Sequence, residues 1–203
     1  TDSMPGIARA VQYALRRFGI DVQDLAALKP FLGPPLRDSF MEFYGMSPEE
    51  ADRAVAVSRE YFVPRGMFEN ELYPGIPELL AATAAAGRVN VIATSKPQPF
   101  AERIAAHFGI DRHFRLISGS TFDGRRKTKA DVIRHALSAL GIAPGEAVMI
   151  GDRRHDVEGA AEEGLPAIAV EWGYAPPGEL EAARPLRIVP DVETLRHLLL
   201  ENE

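Results

Sequence analysis

Apolar residues recur at helical spacing from the first turn of the chain. Ile7, Val11, Leu15 and Phe18 predict an amphipathic helix over 2–19, with Asp2 or Ser3 as N-cap, Pro5 in the first turn and Gly19 as the stop. Residues 24–66 carry no strand signal. Within them 36–44 reads as a short helix, and Ser47-Pro48-Glu49-Glu50 is a capping box with proline in the first helical position, opening a helix through Tyr61. After Tyr73-Pro74-Gly75 the pattern changes to short apolar or β-branched runs at 89–93, 114–117, 147–150, 167–170 and 187–189. These alternate with helical stretches at 76–86, 98–108, 128–140, 155–163 and 191–200. Continuously apolar strands that alternate with helices predict a parallel sheet covered on both faces, so an α/β, doubly wound core is expected from about residue 75, preceded by a helical segment.

Composition narrows the function classes. The 203 residues hold 23 Lys plus Arg against 29 Asp plus Glu, a net charge of -6, with 46% hydrophobic residues, which is ordinary globular composition. The acidic balance argues against nucleic acid or an anionic membrane as partner. No apolar run reaches the roughly 18 residues of a membrane span, the first residues do not read as a charged region followed by an apolar signal core, and a cytoplasmic protein is the expectation. The absence of cysteine excludes disulfides, thiolate metal sites and a cysteine nucleophile.

In open parallel sheets ligands bind beyond the carboxyl ends of the strands. Three of the apolar runs end in polar groups: Thr94-Ser95-Lys96, Ser118-Gly119-Ser120 and Gly151-Asp152-Arg153. Asp152 and Asp156, four residues apart across the start of a helix, suit a hard oxygen-seeking cation such as magnesium; the alternative is that Asp156 only caps that helix. Thr94 and Ser95 offer hydroxyls and N–H groups to a phosphate ahead of a helix, or else form a Ser/Thr turn. Arg125-Arg126-Lys127-Thr128-Lys129 reads either as a solvated loop or as the source of one ammonium for the site, for which Lys129 at the helix start is better placed than Lys127. His107, His113, His135, His155 and His197 lack close metal spacing and are assigned to surface or packing roles. Trp172-Gly173-Tyr174 either borders the pocket or packs under a loop.

Taken in order, Thr94 after a strand, Lys129 before a helix and Gly-Asp-x-x-x-Asp at 151–156 resemble the haloacid dehalogenase superfamily, in particular its phosphoglycolate-phosphatase-like members. The Leu72-Tyr73-Pro74-Gly75 segment, Thr94-Ser95-Lys96-Pro97, Gly119-Ser120 with Asp123-Gly124, and Asp156-Val157 with Gly159-Ala160 extend the likeness along the whole chain. The resemblance implies a helical cap domain over 4–72 and a Rossmann-like core over 73–203. It implies magnesium-dependent hydrolysis of a small phosphorylated metabolite through an aspartyl phosphate. Thr94 and Ser95 would bind phosphate, Lys129 would balance the nucleophile and phosphoryl charge, Asp152 would hold magnesium with Asp156 in support, and Arg59 and the 33–35 loop would belong to the cap's contribution. That family's first motif has the form Asp-x-Asp-Gly-Thr-Leu-x-Asp-Ser, and Thr1-Asp2-Ser3 matches its tail. The nucleophile, the acid/base and the first core strand are therefore expected upstream of residue 1, and the present chain alone is expected to be inactive. Three alternatives stand beside this reading: a phosphomutase and a metal-independent dehalogenase on the same fold, and a non-catalytic module that binds a phosphate ligand or a partner.

Overall fold

The structure is a computed structural model and describes residues 1–200. The chain divides into two compact units, Thr1–Leu72 and Tyr73–Glu203.

The first unit is helical. Helix α1 (Met4–Arg17) turns Ala8, Val11 and Leu15 inward, one residue every three or four, against α3 (Pro48–Phe62) and a 3-10 segment, Leu25–Phe31, while α2 (Leu36–Tyr44) packs on α3. Phe31, Phe40 and Leu28 complete this core. Ser3 stands at the N-cap position without a side-chain bond, while the Asp2 carboxylate accepts the Met4 N–H at 3.0 Å, so Asp2 supplies the capping interaction. At α3 the reciprocal box forms: Ser47 Oγ accepts from Glu50 N–H, and Glu50 Oε2 accepts from Ser47 N–H at 2.9 Å. The unit's two ends run side by side, Asp2 and Glu71 exchanging backbone bonds in an antiparallel bridge.

That closure depends on a backbone crossing where Gly6 meets Gly66. A β-carbon on Gly6 would stand 1.8 Å from the Gly66 carbonyl oxygen, a contact only glycine avoids. The Gly6 N–H donates to the Glu69 carbonyl at 3.0 Å across the same crossing.

The second unit is α/β with all strand pairings parallel. Strand β1 (Val91–Pro97) pairs with β2 (Leu116–Ser120), and β3 (Met149–Gly151) leads a second sheet of order β3-β4-β5, where β4 is Ala167–Val170 and β5 is Arg187–Val189. In β4 the side chains alternate between two covers. Ala167 and Ala169 face α6 (Lys129–Leu140) and α7 (Arg154–Glu162) through Ile133, Val157 and Ala160, whereas Ile168 and Val170 face α4 (Ile76–Ala85) and α9 (Val192–Leu200) through Leu79 and Leu195.

The strands thus form two parallel sheets where one was expected. Among the described residues neither β1 nor β3 has a strand on its second edge, and next to that edge Val148 and Ile150 are 36% and 37% exposed. Strands β1 and β2 also continue past their expected ends, because Thr94 pairs with Gly119 and Pro97 with Ser120 across a register shift. Between β1 and β2, α5 (Gln98–His107) starts three residues after Ser95.

Replacing Gly6 by alanine should disrupt the Gly6–Gly66 crossing. The expected cost is about 1 to 3 kcal/mol or more from overpacking. Hydrogen exchange of the α1 amides checks this; the same substitution at Gly45, where nothing lies within 4 Å of the added carbon, loses only the left-handed turn preference.

Candidate active site

Helix α6 is started by a capping box that fixes its first residue in space. Thr128 Oγ1 accepts from Asp131 N–H at 3.1 Å, and the Asp131 carboxylate accepts from the Thr128 and Lys127 N–H groups at 2.9 and 3.0 Å. These bonds hold the Asp131 carboxyl at about 2, the Thr128 and Lys127 backbone donors being the largest causes. Lys129 is the residue after the cap, and its side chain runs inward along Gly159 of α7. There its Nζ donates to the Ala93 carbonyl of β1 at 3.1 Å and pairs with Asp156 Oδ1 at 2.7 Å, the two side chains being 12% and 9% exposed.

Asp156 uses its other oxygen locally. Its Oδ2 accepts from Asp152 N–H and Arg153 N–H, both at 3.1 Å, closing the turn between β3 and α7. The capping reading of Asp156 is thus seen at the start of α7, and its other oxygen holds Lys129, a contact that neither reading named. Asp152 stands at the mouth of the same turn, and its Oδ2 accepts the Tyr174 N–H at 2.9 Å. Three glycines admit these contacts, since a β-carbon on Gly151, Gly159 or Gly173 would lie 2.3 Å from Asp156, 2.7 Å from Lys129 or 2.1 Å from Asp152.

The end of β1 closes the opposite side. Thr94 Oγ1 accepts the Lys96 N–H at 3.1 Å, the Ser/Thr turn that stood as the alternative, and the Ser95 carbonyl accepts from Ser120 Oγ at 2.8 Å. The expectation that Thr94 and Ser95 immediately precede a helix is corrected: both belong to β1. Lys96 is half-buried, and burial pulls its ammonium down to about 8.

Thr94, Ser95, Lys129, Asp152 and Asp156 all lie in the Tyr73–Glu203 unit at the carboxyl edge of the parallel strands. Arg59 belongs to the other unit, exposed on the last turn of α3. The basic cluster disperses: Arg125 pairs with Asp123, Arg126 donates to Gln98, and Lys129 alone turns to the buried carboxylate. His135 meets Ser118 Oγ at 2.9 Å, and the pKa of His155 is lowered by burial and then by Arg154. Of the aromatic loop, Gly173 and Tyr174 touch Asp152, while Trp172 packs beside α9 and lines a cavity of about 570 Å³ with Tyr73, Pro190 and Arg196.

Sequence reasoning missed two participants. Tyr174 acts through its backbone N–H, which no side-chain pattern reveals. Glu179 opens a short helix, α8 (Glu179–Ala183), that no periodicity announced, and it pairs with Arg153 at 2.7 Å.

The donor set bears on a divalent cation. Among the described residues no group of three or more His, Cys, Asp or Glu could hold a metal ion. Both Asp156 oxygens are occupied by donors, whereas Asp152 has one bonded oxygen and one without a hydrogen-bond partner among the described residues. One such carboxylate, supplemented by water and substrate oxygens, fits the sparse protein ligation magnesium accepts.

The family model for haloacid dehalogenase-like hydrolases matches residues 1–170. A 5'-nucleotidase of Pseudomonas aeruginosa is 46% identical over 199 residues, covering 98% of this chain and 90% of that protein. The tyrosine-protein kinase PtkA of Mycobacterium tuberculosis is 41% identical over 86% of this chain and 59% of its own length. Among solved structures, a predicted phosphatase from Clostridium acetobutylicum superposes with a TM-score of 0.94 at 44% identity, covering 99% of this chain and 93% of that one. The chain belongs to the haloacid dehalogenase-like hydrolase family. No helix among the described residues is long and apolar enough to cross a membrane.

The capping box gives a pH-dependent prediction. With its folded pKa below the unfolded value of 3.8, the Asp131 carboxylate stabilises the fold above about pH 4, and that contribution is lost as pH falls through about 2. Asp131→Asn should therefore cost about 1 kcal/mol at pH 7, a cap-sized loss, and little near pH 2, as measured by urea unfolding at both values.

Proposed function

We propose that the protein is a magnesium-dependent phosphomonoester hydrolase acting on a small phosphorylated metabolite through an aspartyl phosphate. The observation that carries this reading is the state of Lys129. Its ammonium is nearly buried and has given donors to Ala93 and Asp156 among the described residues, which leaves the third N–H for a phosphoryl oxygen at the strand ends. A fixed, partly desolvated cation of this kind stabilises charge on a transferring phosphoryl group without reorganising during the reaction.

The remaining roles follow from position. Thr94 and Ser95, at the end of β1, supply hydroxyl and N–H donors to the phosphate. Asp152 holds the cation, and Asp156 positions Lys129 and the turn without ligating. Magnesium, when bound at Asp152, would neutralise phosphate charge and orient the ester for in-line attack. The nucleophilic aspartate and the acid/base are assigned to a strand seated between β1 and β3, where among the described residues both sheets have an edge without a partner strand and where Val148 and Ile150 are exposed. That strand would bring its carboxylate beside Lys129, whose charge would keep it ionised for attack. Residues 4–72 are assigned as the cap that selects the leaving group, with Arg59 as its candidate cation. The likeness to a 5'-nucleotidase supports a phosphorylated metabolite as substrate, with nucleoside monophosphates and phosphoglycolate as the candidates to test.

The test is phosphate release from p-nitrophenyl phosphate, phosphoglycolate and nucleoside 5'-monophosphates by full-length protein, with and without a chelator. The expected result is turnover that stops on chelation and resumes with magnesium, and a loss of at least a hundredfold in Asp152→Asn. Turnover unaffected by chelator, or an Asp152→Asn variant as active as the parent, would contradict the assignment.

A further inference from the structure

Glu179 lies outside every group assigned above, yet its carboxylate grips the turn that carries Asp152. Oε1 accepts from Arg153 Nε at 2.7 Å and from the Arg154 N–H at 3.0 Å, and Oε2 accepts from Arg153 Nη2 at 3.2 Å. The side chains of Arg153 and Glu179 are only 13% and 11% exposed, so this bidentate pair is largely shielded from water and holds a defined geometry. Its base is firm as well. The next residue, Leu180, is buried in the cluster formed by Val157, Ala160 and Ala169, which ties α8 to α7 and β4. Burial alone would raise the Glu179 carboxyl, but the Arg153 and Arg154 donors outweigh it and lower its pKa, keeping the group ionised at neutral pH.

Asp152 therefore sits between two fixtures from the segment after β4. The Tyr174 N–H holds its carboxylate, and Glu179 holds the two residues that follow it. Arg153 also donates its own N–H to Asp156 Oδ2, so a shift of Arg153 disturbs both aspartates of the turn.

We infer that Glu179 is a positioning residue which, through Arg153 and Arg154, sets the direction in which Asp152 presents its carboxylate to a divalent cation. The inference rests on the reading of Asp152 as a cation ligand given under Proposed function. Glu179 touches neither substrate nor metal; it removes freedom from the turn that does.

Binding of manganese(II), the paramagnetic stand-in for magnesium, to full-length protein tests this by electron paramagnetic resonance titration. Glu179→Ala should raise the dissociation constant at least fivefold, and Glu179→Gln, which keeps the side chain's volume and serves if the alanine variant fails to fold, at least threefold. Glu163→Gln is the control, because it weakens the Arg134–Glu163 pair without touching the turn and should stay within twofold of the parent. Affinity within twofold of the parent in Glu179→Ala, or in Glu179→Gln if only that variant folds, overturns the inference alone. A parent protein that binds no manganese overturns the reading of Asp152 as well, and the inference with it.

Discussion

Taking an ammonium and a carboxylate out of water costs several kcal/mol per ion, and further hydrogen bonds must offset part of that cost. Lys129 and Asp156 gain those bonds from the backbone of separate elements, with one Lys129 N–H left over at the strand ends among the described residues. The ammonium reaches the β1 carbonyl of Ala93, and the carboxylate reaches the N–H groups of Asp152 and Arg153. One ion pair thereby ties α6, β1, and the turn between β3 and α7. The positions of Thr94 and Asp152 relative to each other follow from that tie.

The surrounding sequence is shaped to let the pair form. The box of Thr128 and Asp131 fixes where α6 begins, so that residue 129 points inward. Glycines at 151, 159 and 173 remove the carbons that would otherwise fill the space of Asp156, Lys129 and Asp152. The Arg153–Glu179 pair then braces the turn from the far side. Local capping, close approach and buried charge thus serve one arrangement, a cation and a carboxylate held a short distance apart at the strand ends.

Much of this was legible in the residues. The strands at 167–170 and 187–189 and the helix at 36–44 follow from apolar runs and periodicity whose ends coincide with turns. The ends of β1 and β2 were not legible, because Thr94, Ser95 and Lys96 look like loop while Thr94 still pairs with Gly119 and the strand runs on to Pro97. Hydropathy reports burial, and a polar run that nevertheless pairs in the sheet gives no such signal. The motif residues 152, 156 and 129 could be picked out by type and spacing, but the ion pair between the last two depends on the packing of α6 on α7. Glu179 was invisible for a related reason: it lies on a helix too short for periodicity, and its partner is 26 residues away.

A double-mutant cycle on Lys129 and Asp156 measures how strongly the two buried charges depend on each other. Trp172, the sole tryptophan, lies in the unit concerned and reports its unfolding in urea. Lys129→Met and Asp156→Asn should each cost about 3 kcal/mol, since each strands a buried partner, while the double variant should cost no more than either one, a coupling of about 3 kcal/mol. Costs that add to within about 0.5 kcal/mol would show the two side chains to be energetically independent and would contradict the account.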